Sequence, residues 1–231
     1  VKHQNEAVKR QLTAFFTVLG QKKASHAQAI RHLDRYLSTG FNVFEFIRPN
    51  ENRLSNVIAD MLDPKGSHGQ GDRFYQAFPK LRYRAQSRLP LPLRVHREMS
   101  TSYIADSVRR IDIVIECDGF GVAIENKPWT MEQDNQVSDY LQEIAKKFDD
   151  SFRLVYLTAD GSKPSSVEQS TLEKNIEEQR ILFLFYQTDI PAWLDECIKA
   201  CASDKYRWFL RDFRDYVKRL FPTPPIPRGA S

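Results

Sequence analysis

Two acidic residues and a lysine, Asp112, Glu125 and Lys127, interrupt a pair of apolar runs joined by a tight turn. Ile111, Ile113 and Ile115 alternate with Asp112, Val114 and Glu116, and Val122 and Ile124 alternate with Ala123, Glu125 and Lys127. This period of two predicts two strands, and the Asp118-Gly119 dipeptide between them predicts a two-residue hairpin turn. A turn there sets Asp112 across from Glu125, with Cβ atoms roughly 5 Å apart, and brings Lys127 to the same face. Carboxylates facing each other across a ladder repel, and burial beside Val114 and Ala123 adds a desolvation cost. A divalent cation between them reverses both penalties. Oxygen ligands at that spacing suit Mg²⁺ or Mn²⁺, which take one or two carboxylates and complete their shells with water and phosphate. With Lys127 to orient or deprotonate a water, the three residues have the chemistry of phosphodiester hydrolysis. The blander reading is a solvated hairpin face with a Glu/Lys pair. Against it, one lysine neutralises only part of two facing carboxylates.

Asp112, then twelve residues, then Glu125-Asn126-Lys127 resembles the signature of the PD-(D/E)xK nucleases. Upstream, the stretch from Glu51 to Pro64 followed by Ser67-His68-Gly69 is similar to the N-terminal helix and loop of an uncharacterised bacterial branch of that superfamily. Downstream, Gln136 and Tyr140 match the QxxxY helix motif of its RecB-like members, so the resemblance covers about two thirds of the chain. Ile111 stands where the motif has its proline, a departure that leaves the acidic residues untouched. The resemblance implies an α/β fold of the restriction-endonuclease-like type, a mixed central sheet flanked by helices. It implies a Mg²⁺- or Mn²⁺-dependent nuclease whose partner is nucleic acid, DNA in the first instance. Asp112 and Glu125 would be metal ligands, Glu51 would bind or orient the metal directly or through water, and the Asn126 backbone carbonyl would complete the sphere. Lys127 would activate water or stabilise the transition state and Gln136 would position substrate, while by its own chemistry Tyr140 can buttress Gln136 or stack and hydrogen-bond near the strand. The competing expectations are a catalytically silent module of the same fold that binds nucleic acid or protein, and an RNA-processing nuclease.

These residues need elements to hold them. Pro49-Asn50 stops the preceding segment, and Asn50 can cap a helix running through Leu62. That places Glu51 in the first turn, where the exposed amides favour a carboxylate whether or not it serves a metal. The turn-rich loop Asp63–Asp72 carries His68, which could contact a substrate phosphate or order the loop itself. A helix from about 130 to 148 puts Gln136 and Tyr140 one turn apart on one side. A strand is expected near 93–99. The continuous apolar runs Phe152–Thr158 and Ile181–Tyr186 predict two more, buried on both faces and parallel. Residues 5–19 and 25–38 read as two N-terminal helices with a turn at Gly20, and further helices are expected near 189–201 and 204–220. One nuclease-like domain over 1–220, with a helical portion over about 1–48, is followed by a Pro-rich tail, 221–231.

Composition sets the outer limits. At 231 residues, 41% hydrophobic and 28% charged, the chain has enough apolar residues for one large core. It contains no apolar run of membrane-spanning length, and its first residues lack a signal-peptide core, so a cytoplasmic protein without a membrane partner is expected. The three cysteines, Cys117, Cys197 and Cys201, lack disulfide-framework or zinc spacing and read as core residues. The net charge of +4 is modest, but Lys80, Arg82, Arg84, Arg88, Arg94 and Arg97 are opposed only by Glu98. Within that stretch Arg82, Arg84 and Arg88 are candidate contacts to a phosphate backbone, with an ordinary solvated surface as the alternative. The basic residues from Arg207 to Arg219 are diluted by Asp212 and Asp215 and read as a solvated helix face. Nothing in the pattern sets an oligomeric state.

Overall fold

The apolar alternation of residues 110–127 places its hairpin inside a sheet, and the computed structural model shows that sheet whole. It describes residues 2–38, 40–79, 88–102, 109–129, 134–149, 151–165 and 167–223. In chain order the elements are α1 (Lys2–Leu37), α2 (Val43–Ile47), α3 (Glu51–Leu62), α4 (Arg73–Gln76), β1 (Pro92–Ser100), β2 (Arg110–Cys117) and β3 (Phe120–Lys127). They continue as α5 (Gln136–Phe148), β4 (Phe152–Thr158), α6 (Gln169–Glu177), β5 (Ile181–Phe185), α7 (Asp189–Ala200) and α8 (Asp204–Leu220). The strands lie in the order β1-β2-β3-β4-β5. β1, β2 and β3 pair antiparallel, while β3, β4 and β5 pair parallel. The mixed sheet with flanking helices is the expected α/β architecture.

The chain divides into two compact units, Val1–Asn42 and Val43–Ser231. The first contains one continuous helix, α1, instead of the expected pair. Gly20 lies in its middle, where a glycine costs about 1 kcal/mol relative to alanine and the helix-favouring residues on either side outweigh it. The Thr13 and Thr17 hydroxyls donate back to the carbonyls of Lys9 and Thr13 and stay within the helical ladder.

In the second unit the Asp118-Gly119 turn sets the register as the sequence predicts. Cys117 pairs with Phe120 and each following pair holds through Ile113 with Ile124, but the expected pair of Asp112 with Glu125 is not part of this ladder. Gly119 supplies the left-handed turn residue at φ 62°. On one sheet face, Ile113, Ile115, Val122, Ile124, Val155 and Leu157 pack with side chains of α3, α4, α7 and α8. On the other, Val114, Ala123, Leu154 and Tyr156 pack with Val137, Tyr140 and Ile144 of α5 and Leu172 of α6. Ile111 joins this second face although Ile113 and Ile115 join the first. The simple alternation therefore breaks at Asp112. Opposite it, β1 pairs Arg97 with Ile113 and Met99 with Ile111 while leaving Glu98 and Asp112 out of the ladder. Glu98 has a left-handed backbone, φ 48°.

α5 starts at Gln136, later than the periodicity suggested, because Asn135 is left-handed at φ 59° and cannot continue a helix backwards. Its far end comes so close to β3 that a Cβ on Gly121 would lie 2.3 Å from the Phe148 ring. At the outer edge of the sheet the Tyr186 amide donates to the Thr158 carbonyl at 2.9 Å, whereas the Phe185 amide donates to Asp189 Oδ2 at 2.9 Å. Cys117, Cys197 and Cys201 are free and buried. No helix among the described residues is long and apolar enough to cross a membrane. Tail residues 224–231 lie outside the described residues.

Candidate active site

Beyond Ile113 and Ile124 the β2–β3 pairing gives way to side chains. The Asn126 amide donates to Asp112 Oδ2 at 2.8 Å, so the carboxylate takes a main-chain donor at the end of the ladder. Glu125 and Lys127, two apart on β3, are joined at 2.8 Å between Oε1 and Nζ. Glu51 arrives from the first turn of α3. Its cap is the expected one, Asn50 Oδ1 accepting from the Arg53 amide at 3.0 Å, and Glu51 Oε1 stands 3.6 Å from Lys127 Nζ. Three carboxylates from three elements thus meet one ammonium.

Burial sharpens this imbalance. Glu125 is 1% exposed, and while Oε1 also accepts from Gln136 Nε2 at 2.8 Å, its buried Oε2 has no hydrogen-bond partner. Desolvation, followed by repulsion from Asp112, pushes the Glu125 carboxyl up to about 8. Desolvation also raises Asp112, against the opposing pull of the Asn126 amide and Lys127. Burial works against the charge on Lys127, but Glu125, Glu51 and Asp112 outweigh it and hold the ammonium protonated above its ordinary range. Both shifts at the Glu125–Lys127 pair have the same origin, an excess of negative charge in a dry place.

Residues from α5 and α3 fix the geometry. The Gln136 amide nitrogen donates to Glu125 and, at 3.0 Å, to Tyr140 Oη, and Tyr140 in turn donates to the Arg110 carbonyl at 2.7 Å. Tyr140 therefore orders Gln136 and closes the β2 end of the site. Asn126 points to the opposite face of β3, where Nδ2 donates to Ser55 Oγ at 2.9 Å and Oδ1 accepts from Tyr186 at 2.9 Å. Arg97 binds α3 to β2. Its guanidinium donates to Asn56 Oδ1 at 2.7 Å, to the Asn52 carbonyl at 3.2 Å and to the Asp112 carbonyl.

The carboxylates open onto a cleft of about 360 Å³ lined by Asn52, Glu98, Arg109, Arg110, Asp112, Glu125, Lys127, Gln136 and Tyr140. Its lining is mostly polar, unlike a larger cavity of about 570 Å³ lined by Asn56, Asp60, His68, Tyr206 and Phe209 among others. Asp112, Glu125 and Lys127 line the smaller one. His68 lies outside it. The ring is buried, with Nε2 donating to the Asp63 carbonyl and Nδ1 accepting from the Gln70 amide, both at 2.9 Å, so His68 orders its own loop. Arg88 pairs with Asp72 at 2.6 Å, while Arg82 and Arg84 lie outside the described residues.

Sequence reasoning missed Ser55, Arg97, Glu98 and Tyr186. Ser55 had an accessible signal in its position one helical turn after Glu51, while Arg97 and Glu98 stood in the basic stretch without an assigned role. Among the described residues no group of three or more His, Cys, Asp or Glu side chains is placed to hold a metal ion. The donor set still fits a hard cation: an unpartnered buried carboxylate oxygen beside a second carboxylate offers the incomplete oxygen shell that Mg²⁺ and Mn²⁺ fill with water and phosphate.

Comparison with curated proteins finds no match, and comparison with solved structures finds none. The family model for the PD-(D/E)XK nuclease superfamily matches residues 41–215, a span that contains the sheet, Glu51, Asp112, Glu125, Lys127 and Gln136. The match takes in most of the chain and every residue of the carboxylate cluster, and the chain belongs to the PD-(D/E)XK nuclease superfamily.

Proposed function

We propose that the protein is a divalent-metal-dependent nuclease that hydrolyses phosphodiester bonds in DNA. The observation that carries this reading is the convergence of Glu51, Asp112 and Glu125 on Lys127, with the buried Glu125 Oε2 lacking any partner. Asp112 and Glu125 would hold Mg²⁺ or Mn²⁺, with Glu51 and the Asn126 carbonyl in support. When bound, such a cation supplies Lewis acidity towards water and phosphate. Lys127 would offer an N–H to the attacking water or to a phosphate oxygen as charge develops, and Glu125, Glu51 and Asp112 keep it protonated for that donation. Gln136, locked by Tyr140 and lining the cleft, would hold Glu125 in place and position substrate.

The test is incubation with labelled linear, circular and single-stranded DNA and with RNA, each in Mg²⁺, Mn²⁺ or EDTA. Cleavage of DNA that requires metal and disappears in Asp112→Asn is the expected result. Cleavage confined to RNA would replace the substrate, and binding without cleavage under any metal would identify a silent module of the fold.

A further inference from the structure

Among the described residues the cleft carries three cations, and they differ in how firmly they are held. Lys127 is committed to Glu125 and Glu51. Arg109 donates to Asp139 Oδ2 at 2.5 Å and to the Asp134 carbonyl at 2.6 Å, which ties it to the start of α5. Arg110 is different. Its side chain is 66% exposed, and its ion pair is with Glu98, 43% exposed, at 3.6 Å between Nη1 and Oε2. That distance is too long for a hydrogen bond, and an exposed pair of this kind is worth little and is readily exchanged. Meanwhile the main chain of Arg110 is held, since its carbonyl accepts from Tyr140 and its strand pairs with Ser100. A fixed base with a loosely engaged guanidinium, two residues from Asp112 on the cleft wall, is the arrangement a backbone phosphate needs.

Glu98 is the more unusual partner. Its backbone is left-handed, at φ 48°, within β1, although the pairs on either side, Arg97 with Ile113 and Met99 with Ile111, keep one register. A non-glycine residue in that region carries a strain cost and persists where the surroundings hold it. The surroundings here are visible: the Arg97 guanidinium donates to the Asp112 carbonyl, and the Glu98 side chain lines the cleft beside Arg110.

We propose that Arg110 binds a phosphate of the substrate strand adjacent to the scissile one, and that Glu98 is a positioning residue that occupies Arg110 until that phosphate displaces it. The inference rests on the nuclease reading above. The exchange is favourable because a phosphate accepts a two-pronged guanidinium contact that the distant Glu98 carboxylate does not make. Glu98 then repels strands that lie in the cleft without delivering a phosphate to Arg110, so the pair lowers affinity and selects for register.

The two residues predict opposite effects, which a purely structural role would not give. The measurement is the Kd of the full-length chain for labelled duplex DNA in Ca²⁺ across a salt series, for the parent, Glu98→Gln, Arg110→Gln and the double variant. Glu98→Gln preserves shape at the left-handed position, and Glu98→Asn, a residue tolerant of that conformation, serves as its second form. Glu98→Gln should tighten binding about three-fold, the scale of an exposed ion pair. Arg110→Gln should weaken it several-fold and lower the salt slope by about 1. In the double variant the gain from Glu98→Gln should vanish. If the parent binds and Glu98→Gln and Glu98→Asn both bind equally or more weakly, or the gain survives in the double variant, the proposed exchange is overturned while the nuclease reading stands. If the parent binds no DNA and cleaves none, both fall together.

Discussion

Glu125 and Lys127 are neighbours on one strand face, yet they answer differently to substitution. Lys127 is the group whose N–H reaches the reacting atoms in the proposed chemistry, so Lys127→Ala should lower kcat about 10³-fold, within the range of positioned proton donors, with a much smaller change in KM. A steady-state assay with the parent and the variant checks this split. Glu125→Gln should act on stability as well. It removes a carboxyl whose ionisation is opposed by desolvation and by Asp112 and Glu51, a cost that grows as pH rises above the ordinary carboxyl range towards about 8, so at pH 7 the metal-free protein should melt at a higher temperature than the parent. The rise in melting temperature that millimolar Mn²⁺ gives the parent should disappear in the same variant, as scanning calorimetry with Mn²⁺ and with EDTA would show. At this scale the site was legible where it is local. Asp112, Glu125 and Lys127 lie on one hairpin, and a hairpin register can be read from its turn. Tyr186 and Arg97 reach the site across the fold, and no spacing rule connects them to it. Glu98 was visible as a lone acid in a basic stretch, but its left-handed backbone leaves no trace in residue type.

The elements bring these residues together through a few polar ties. α3 delivers Glu51 and is held by Arg97 from β1 and Asn126 from β3, while α5 delivers Gln136 and is tied by Arg109 and Tyr140 to β2. A third tie joins β1, β2 and α5. Glu116 Oε1 lies 2.7 Å from Lys147 Nζ and 3.4 Å from His96 Nε2. The Lys147 hydrogen bond holds the Glu116 carboxyl below its usual range, against partial desolvation. A folded value below the unfolded one stabilises the fold above the ordinary carboxyl range, and that stability is lost as pH falls through the folded value. Glu116→Gln should therefore cost about 0.5 kcal/mol at pH 7, the scale of a partly solvated pair. Urea titrations at pH 7 and pH 3 should find that parent and variant converge in acid. A difference that persists at pH 3 would assign the effect to packing. The strands and the helices after residue 150 were legible because their apolar runs exceed what a loop would carry. The start of α5 was not, since Asn135 can sit in a helix by composition and only its tertiary setting turns it left-handed. α1 failed in the opposite direction: one glycine looked like a boundary, but a single propensity loss does not end a helix that its neighbours favour.

Across the whole molecule, the mixed sheet divides labour between its faces. The α3, α4, α7 and α8 side holds the larger apolar core and the Arg97 and Asn126 ties to α3, and the α5 side carries the Gln136 tie to Glu125. Among the described residues no strand pairs beyond β1 or β5, the two ends of the strand order. At one of these, β5 is five apolar residues, Ile181–Phe185, without a charge to deter another strand. Such a rim is a template for pairing between molecules. The carboxylate of Asp189 accepts the Phe185 amide and so fills an outward-facing donor position that a neighbouring chain would use. This makes Asp189 a guard against self-assembly as well as a residue of the first turn of α7. Asp189→Ala should leave the melting transition within about 1 kcal/mol of the parent while producing concentration-dependent association by light scattering. Asp189→Asn, which retains an acceptor oxygen, should stay dispersed. The edge of the sheet would then limit the concentration at which this protein can be kept in solution, independently of anything that happens in the cleft.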